Sequence, residues 1–178
     1  YPDAVDIMPD LEREYRENPV SILGTIRCTP WHVGRTVLIG DAAHAIVPFY
    51  GQGANASFED AVALAERLEH AGTNPAGCLR DYYEERVGNA NAIADMALDN
   101  FIEMRDHTAL RSFRLKKSIE RTLHRILGSR FLPLYEMVSF TTIPYAQARR
   151  RARNQWRVAL GIPVAVAACV LALVLIAL

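Results

Sequence analysis

Read for apolar periodicity, the chain divides into three unequal parts. In the first forty residues Pro2, Pro9, Pro19 and Pro30 interrupt any long helix, while Ser21–Arg27 and Thr36–Ile39 are strand-like. The run from Arg35 to Ile39 is short, apolar and β-branched, and Gly40-Asp41 follows it. That pattern predicts a buried strand ended by a turn, with Asp41 at the strand's carboxyl end.

Helical signals take over from there. Ser57 is placed to cap a helix running to about Gly72, and Asn74-Pro75 supplies a cap and a first-turn proline for a second helix through about Arg105. A third runs from about Ala109 to Gly128, with Lys and Arg mixed along a Leu/Ile face. The chain closes on Val158 to Leu178, 21 residues without a charge. At ~1.5 Å per residue such a helix spans about 31 Å, the thickness of a ~30 Å hydrocarbon core.

This last run therefore predicts a transmembrane helix. A buried core helix would show a polar stripe, a signal segment belongs at the other end, and Pro163 is tolerated in a span. Arg149, Arg150, Arg151, Arg153 and Arg157 precede it, and such a cluster keeps its flank in the cytosol. The expectation is a tail anchor with the rest of the chain on the cytosolic side. The division expected is 1–73, a strand, loop and helix unit; 74–157, a helical region; and 158–178, the span.

Composition narrows the chemistry by exclusion. Twenty basic and twenty acidic residues balance, which argues against a nucleic-acid footprint. Cys28, Cys78 and Cys169 are scattered without metal-ligand spacing, the histidines form no zinc-type pair, and so no metal is expected. His44 reads as packed against its loop rather than catalytic. No nucleophile-and-base constellation emerges.

The chemistry concentrates in Gly40–Ala61, GDAAHAIVPFYGQGANASFEDA. A carboxylate at a strand end, Asp41, can accept hydrogen bonds from a bound hydroxyl chain. In Pro48-Phe-Tyr-Gly-Gln-Gly-Ala-Asn55 two glycines let backbone approach a flat ligand, and the following helix N-terminus favours negative charge. A reduced flavin carries such a charge on its pyrimidine edge. Either piece alone reads as an ordinary turn or helix entry; together they read as half of a flavin site.

GDAAH followed by Pro48, Gly51-Gln52-Gly53, Asn55 and Glu59-Asp60-Ala61 resembles the second FAD motif of the flavoprotein aromatic hydroxylases that share a fold with para-hydroxybenzoate hydroxylase. The resemblance implies an α/β fold, of which this chain is the C-terminal portion, followed by a helical region and the membrane span. It assigns Asp41 to the ribityl chain of FAD, and Pro48, Gly51, Gln52, Gly53, Ala54 and Asn55 to the isoalloxazine ring. Within that group the wording HAIVPFYGQGANASFED is similar to the kynurenine 3-monooxygenase family, with Tyr50 in place of Phe and Ala54 in place of Met.

Two further stretches resemble the same family: Asp99-Asn-Phe-Ile-Glu-Met-Arg-Asp-His107, and Arg130-Phe-Leu-Pro-Leu-Tyr-Glu-Met-Val-Ser-Phe140. By resemblance Asn100 and Tyr135 bind the amino-acid carboxylate of L-kynurenine, with Phe49 and Tyr50 against the substrate. Glu103, three positions after Asn100, would meet the ammonium or position Arg105. Without the resemblance these would read as an ordinary amphipathic helix and a core tyrosine.

What the resemblance implies is a two-stage oxidation: NADPH reduces FAD, the reduced flavin takes up molecular oxygen, and one oxygen atom is then delivered to the kynurenine ring beside its amino group while the other leaves as water. The cofactor carries that chemistry while the protein positions the substrate and excludes water. No G-x-G-x-x-G follows any strand here and the first residue is Tyr1. The family holds its pyrophosphate site near its N-terminus, so the expectation is a C-terminal part that by itself catalyses nothing. Eukaryotic members sit on the mitochondrial outer membrane. Two competitors remain: a related flavin hydroxylase for another aromatic or lipid-like substrate, and a non-catalytic tail-anchored module.

Overall fold

In the computed structural model, residues 2–72 and 75–177 are described, with 2, 4, 75, 76 and those from 162 onward described by their backbone alone. The described residues are mostly helical, with one two-stranded antiparallel hairpin among them. Two short helices, α1 (Pro2–Val5) and α2 (Leu11–Glu17), precede a hairpin of β1 (His32–Val33) and β2 (Thr36–Val37). Gly34, at φ 59°, makes the turn, and the strands pair antiparallel with His32 opposite Val37. Helix α3 (Asp41–His44) and a 3₁₀ turn (Pro48–Tyr50) lead into α4 (Gly53–Glu69) and the long α5 (Pro75–Ile102).

A π-helical turn (Glu103–His107), α6 (Arg111–Leu127), a 3₁₀ turn (Gly128–Arg130), α7 (Leu134–Phe140) and α8 (Tyr145–Ala177) follow. Helix α5 is the spine, with α4 on one side and α8 on another. Its buried positions Tyr82, Arg86, Ala90, Ile93 and Ala97 recur every three or four residues, the spacing of one helical face. Around Ile93 and Met96 that face meets Met137, Tyr145, Ala148 and Ala152, where small residues let α8 lie close. A second core gathers Trp31, Ala43, Ala63, Tyr82 and Ala90, and so seats the hairpin and α3 on α4 and α5.

The strand expected over Ser21–Arg27 does not form. Its neighbourhood makes isolated ladder-like bonds, Ile26 N to Ala45 O at 2.8 Å and Cys28 N to Ala43 O at 2.9 Å. No strand lies beside it among the described residues, and Val20 and Ile22 are 97% and 96% exposed. A strand needs a partner for its ladder, and an apolar run alone does not supply one.

Helix boundaries shift for local reasons. Helix α4 begins at Gly53, four residues before the expected cap, and the Ser57 hydroxyl instead donates back to the Gly53 carbonyl at 3.0 Å. Pro75 does open α5, and Gly128, at φ 55°, does end α6. The α5 helix passes into π geometry at Glu103, so Glu103 and Arg105 sit on a widened turn rather than on a regular helix.

Helix α8 continues unbroken from the arginine cluster to Ala177. Most of the apolar run expected to span a membrane, residues 162–178, has side chains outside the described residues. Among the described residues no helix is long and apolar enough to cross one.

Candidate functional site

The turn that carries Asp41 is fixed from beneath by a buried carboxylate. Asp60, fully buried on α4, accepts hydrogen bonds from the Gly40 amide at 3.2 Å and from Arg86 Nε at 2.7 Å. Its Oδ2 also bonds the ring of His44, which is itself 3% exposed. Arg86 extends the network to Glu59 at 2.8 Å and to the Ala56 carbonyl at 3.3 Å. Burial raises a carboxyl, but the hydrogen bonds and charges of His44 and Arg86 outweigh it, so Asp60 is held below the usual carboxylate value.

Gly40 fits this turn because nothing larger would. Its φ is 58°, and an added Cβ would stand 2.8 Å from Ser57 Oγ. Asp41 then projects from the first position of α3, exposed to solvent.

The adjoining loop is held by the same kind of internal bond. Gly51 at φ 67° turns the chain after the 3₁₀ turn, and the buried Gln52 accepts from Asn55 Nδ2 at 2.9 Å and from the Tyr145 hydroxyl at 3.4 Å. Gly51, Ala54 and Asn55 stay exposed. No side chain caps α4, and its first helical bond runs from the Ala56 amide to Gln52. The amides of Gly53, Ala54 and Asn55 are therefore free to meet a ligand, and the helix end favours an anionic one. An exposed carboxylate and an uncapped helix N-terminus are groups suited to the hydroxyl chain and the anionic ring edge of a flavin.

A cavity of ≈ 700 Å³ has walls that include Tyr50, Asn100, Glu103 and Tyr135. Four of the five expected substrate residues thus converge although 85 positions separate Tyr50 from Tyr135. The two tyrosine rings stand 6.1 Å apart. Phe49 is not part of these walls; it packs on Phe101 at 4.5 Å, and its carbonyl accepts from Asn100 Nδ2 at 2.6 Å. Glu103 faces Lys117 at 3.9 Å, and Lys117 also pairs with Glu120 at 3.4 Å.

Burial, and then the charges of Glu103 and Glu120, push the Tyr50 phenol above its ordinary value, so it stays a neutral donor. The walls combine aromatic faces with both signs of charge, which suits a flat ligand with a zwitterionic end.

Two features escape a reading of spacing alone. The Asp60–Arg86–His44 cluster joins positions 16 and 26 residues apart, and Tyr145 reaches Gln52 across 93. Glu59-Asp60 stands in the motif as written, but nothing in the sequence marks Arg86 as its partner.

Residues 9–97, half of the chain, match the protein family described as FAD binding domain. A kynurenine 3-monooxygenase of Cytophaga hutchinsonii is 50% identical over 149 residues, 83% of this chain and 33% of that protein. One of Dictyostelium discoideum is 45% identical over 163 residues, 84% of this chain and 35% of the relative. One of Salinispora arenicola is 46% identical over 159 residues, 89% and 35% respectively. The chain spans about a third of the length of these curated relatives. With its exposed acidic turn, free helix end and half its length inside the family's pattern, the chain belongs to the FAD-binding domain family.

Proposed function

We propose that this chain supplies the flavin-ring loop and the substrate-side helices of an FAD- and NADPH-dependent monooxygenase that converts L-kynurenine and molecular oxygen to 3-hydroxykynurenine. The observation that carries the reading is the single cavity shared by Tyr50, Asn100, Glu103 and Tyr135, which the Pro48–Tyr50 turn joins through Tyr50. The names of the relatives support the same substrate.

FAD would lie on Asp41 and on residues 48–55, and when bound it supplies the reduction and oxygen chemistry. The chain's own part is placement. The α4 amides stabilise negative charge at the ring edge, and Gln52, anchored by Asn55 and Tyr145, holds the loop's shape. Tyr135 and Asn100 receive the substrate carboxylate, Glu103 its ammonium, and Tyr50 closes the aromatic wall against water. Residues 1–73 would complete the flavin side, 74–157 the substrate side, and 158–178 a membrane anchor with the arginines on the cytosolic face. Continuous helical backbone through residues 145–177 is compatible with that anchor.

Equilibrium binding to the full-length protein tests the division of labour. L-Kynurenine should perturb the bound flavin's absorbance, Tyr135→Phe should weaken that titration with FAD retained, and Asp41→Ala should lose FAD instead. A kynurenine titration unchanged by Tyr135→Phe would remove the substrate assignment.

A further inference from the structure

We propose that α6 is a membrane-surface helix that docks on an anionic lipid bilayer and lays the substrate-side helices against it, an inference that rests on reading residues 158–178 as the anchor. Leu115, Ile119 and Ile126 fall on one stripe of α6 and are 62%, 42% and 72% exposed. The helix carries six Lys or Arg against one Glu. Lys116 and Lys117 are turned to the cavity, over Trp156 and beside Glu103 and Glu120. Arg111, Arg114, Arg121 and Arg125 make no ion pair among the described residues and lie along one flank of the apolar stripe.

An exposed apolar stripe bordered by unpaired arginines is the pattern of a helix lying in a headgroup layer. The fold also puts it at the right place along the chain. Arg151 donates to the Ser129 carbonyl at 2.6 Å and Gln155 to that of Arg130 at 3.3 Å, fastening the carboxyl end of α6 beside the residues where the apolar run begins. A hollow of ≈ 930 Å³ between them is lined by Leu123, Leu127, Phe131, Arg150, Arg151 and Val158, apolar and cationic together. Anionic phospholipid is the one partner that answers both the stripe and the charge, each basic residue near such a surface changing affinity about fivefold.

The full-length protein, labelled with bimane either at Cys169 or at Ile119→Cys with other cysteines replaced, is reconstituted into brominated phosphatidylcholine vesicles with or without phosphatidylserine. The expected result is quenching at Cys169 in both vesicles, and quenching at Ile119→Cys only with phosphatidylserine. Arg114→Glu/Arg121→Glu should abolish the second signal and leave the first. Quenching at Cys169 with none at Ile119→Cys, or equal quenching at Ile119→Cys without phosphatidylserine, would overturn the docking proposal. An unquenched Cys169 with phosphatidylserine-dependent quenching at Ile119→Cys would instead remove the anchor and keep the surface helix; quenching at neither removes both.

Discussion

Asn100 donates to the backbone carbonyl of Phe49 at 2.6 Å, tying the carboxyl end of α5 to the turn that carries Tyr50. The residue expected to meet substrate is therefore also a clamp on the loop expected to meet the flavin. Its amide nitrogen also reaches Met104 Sδ at 3.6 Å, and the residue itself lines the cavity.

Asn100→Ala should consequently act twice. Loss of a half-buried hydrogen bond lowers stability by about 1 kcal/mol, and loss of a bond to a charged group raises the KM for kynurenine about tenfold or more. Tyr135, 57% exposed at the cavity mouth, has only the second role, so Tyr135→Phe should raise KM without moving the urea midpoint. Steady-state kinetics and denaturation on the same two proteins check this.

Arg86 is the only described cation on the buried Asp60 besides the His44 ring, so Arg86→Ala strands a carboxylate with no exposure. The expected cost is about 3–5 kcal/mol, read as a lower urea midpoint, with FAD affinity falling because the Gly40-Asp41 turn loses its support.

The same carboxylate predicts an acid limit. Its folded-state pKa lies below the ordinary value of 3.8, so its stabilisation is complete above 3.8 and is lost as pH falls from there through the folded pKa. The stability gap between the natural protein and Asp60→Asn should be full near neutral pH and narrow below 3.8. A gap of constant size across that window would show that the charge of Asp60 is not what is used.

Gly40→Ala should cost about 1–3 kcal/mol from its left-handed backbone, with an added penalty from Ser57 Oγ at 2.8 Å. Gly40→Ala/Ser57→Ala should recover the part due to Oγ and leave both the backbone cost and the 3.1 Å approach to the residue-57 Cβ, a partial rescue visible by thermal unfolding.

How far the sequence carried is best seen residue by residue. Pro75 and Gly128 marked helix ends because proline suits a first turn and glycine a left-handed cap, which are local effects. Ser21–Arg27 misled for the opposite reason: strand formation depends on a partner, and apolar alternation does not say whether one is present. The loop glycines and Asp41 were legible as motif chemistry, and Asn100 and Tyr135 only by resemblance to relatives. Arg86 and Tyr145 were invisible, because packing of α5 and α8 brings them to Asp60 and Gln52 from 26 and 93 residues away. The π turn at Glu103 likewise has no signature in EMRDH.

Turnover of the full-length protein decides whether the cavity lined by Tyr50, Asn100, Glu103 and Tyr135 receives kynurenine. NADPH consumption is followed with and without L-kynurenine while product is identified by mass. The expected result is kynurenine-dependent formation of 3-hydroxykynurenine that collapses in Asn100→Ala and Tyr135→Phe at subsaturating substrate, with FAD still bound. A protein that binds FAD yet neither speeds NADPH oxidation with kynurenine nor hydroxylates it would show that the cavity does not receive kynurenine.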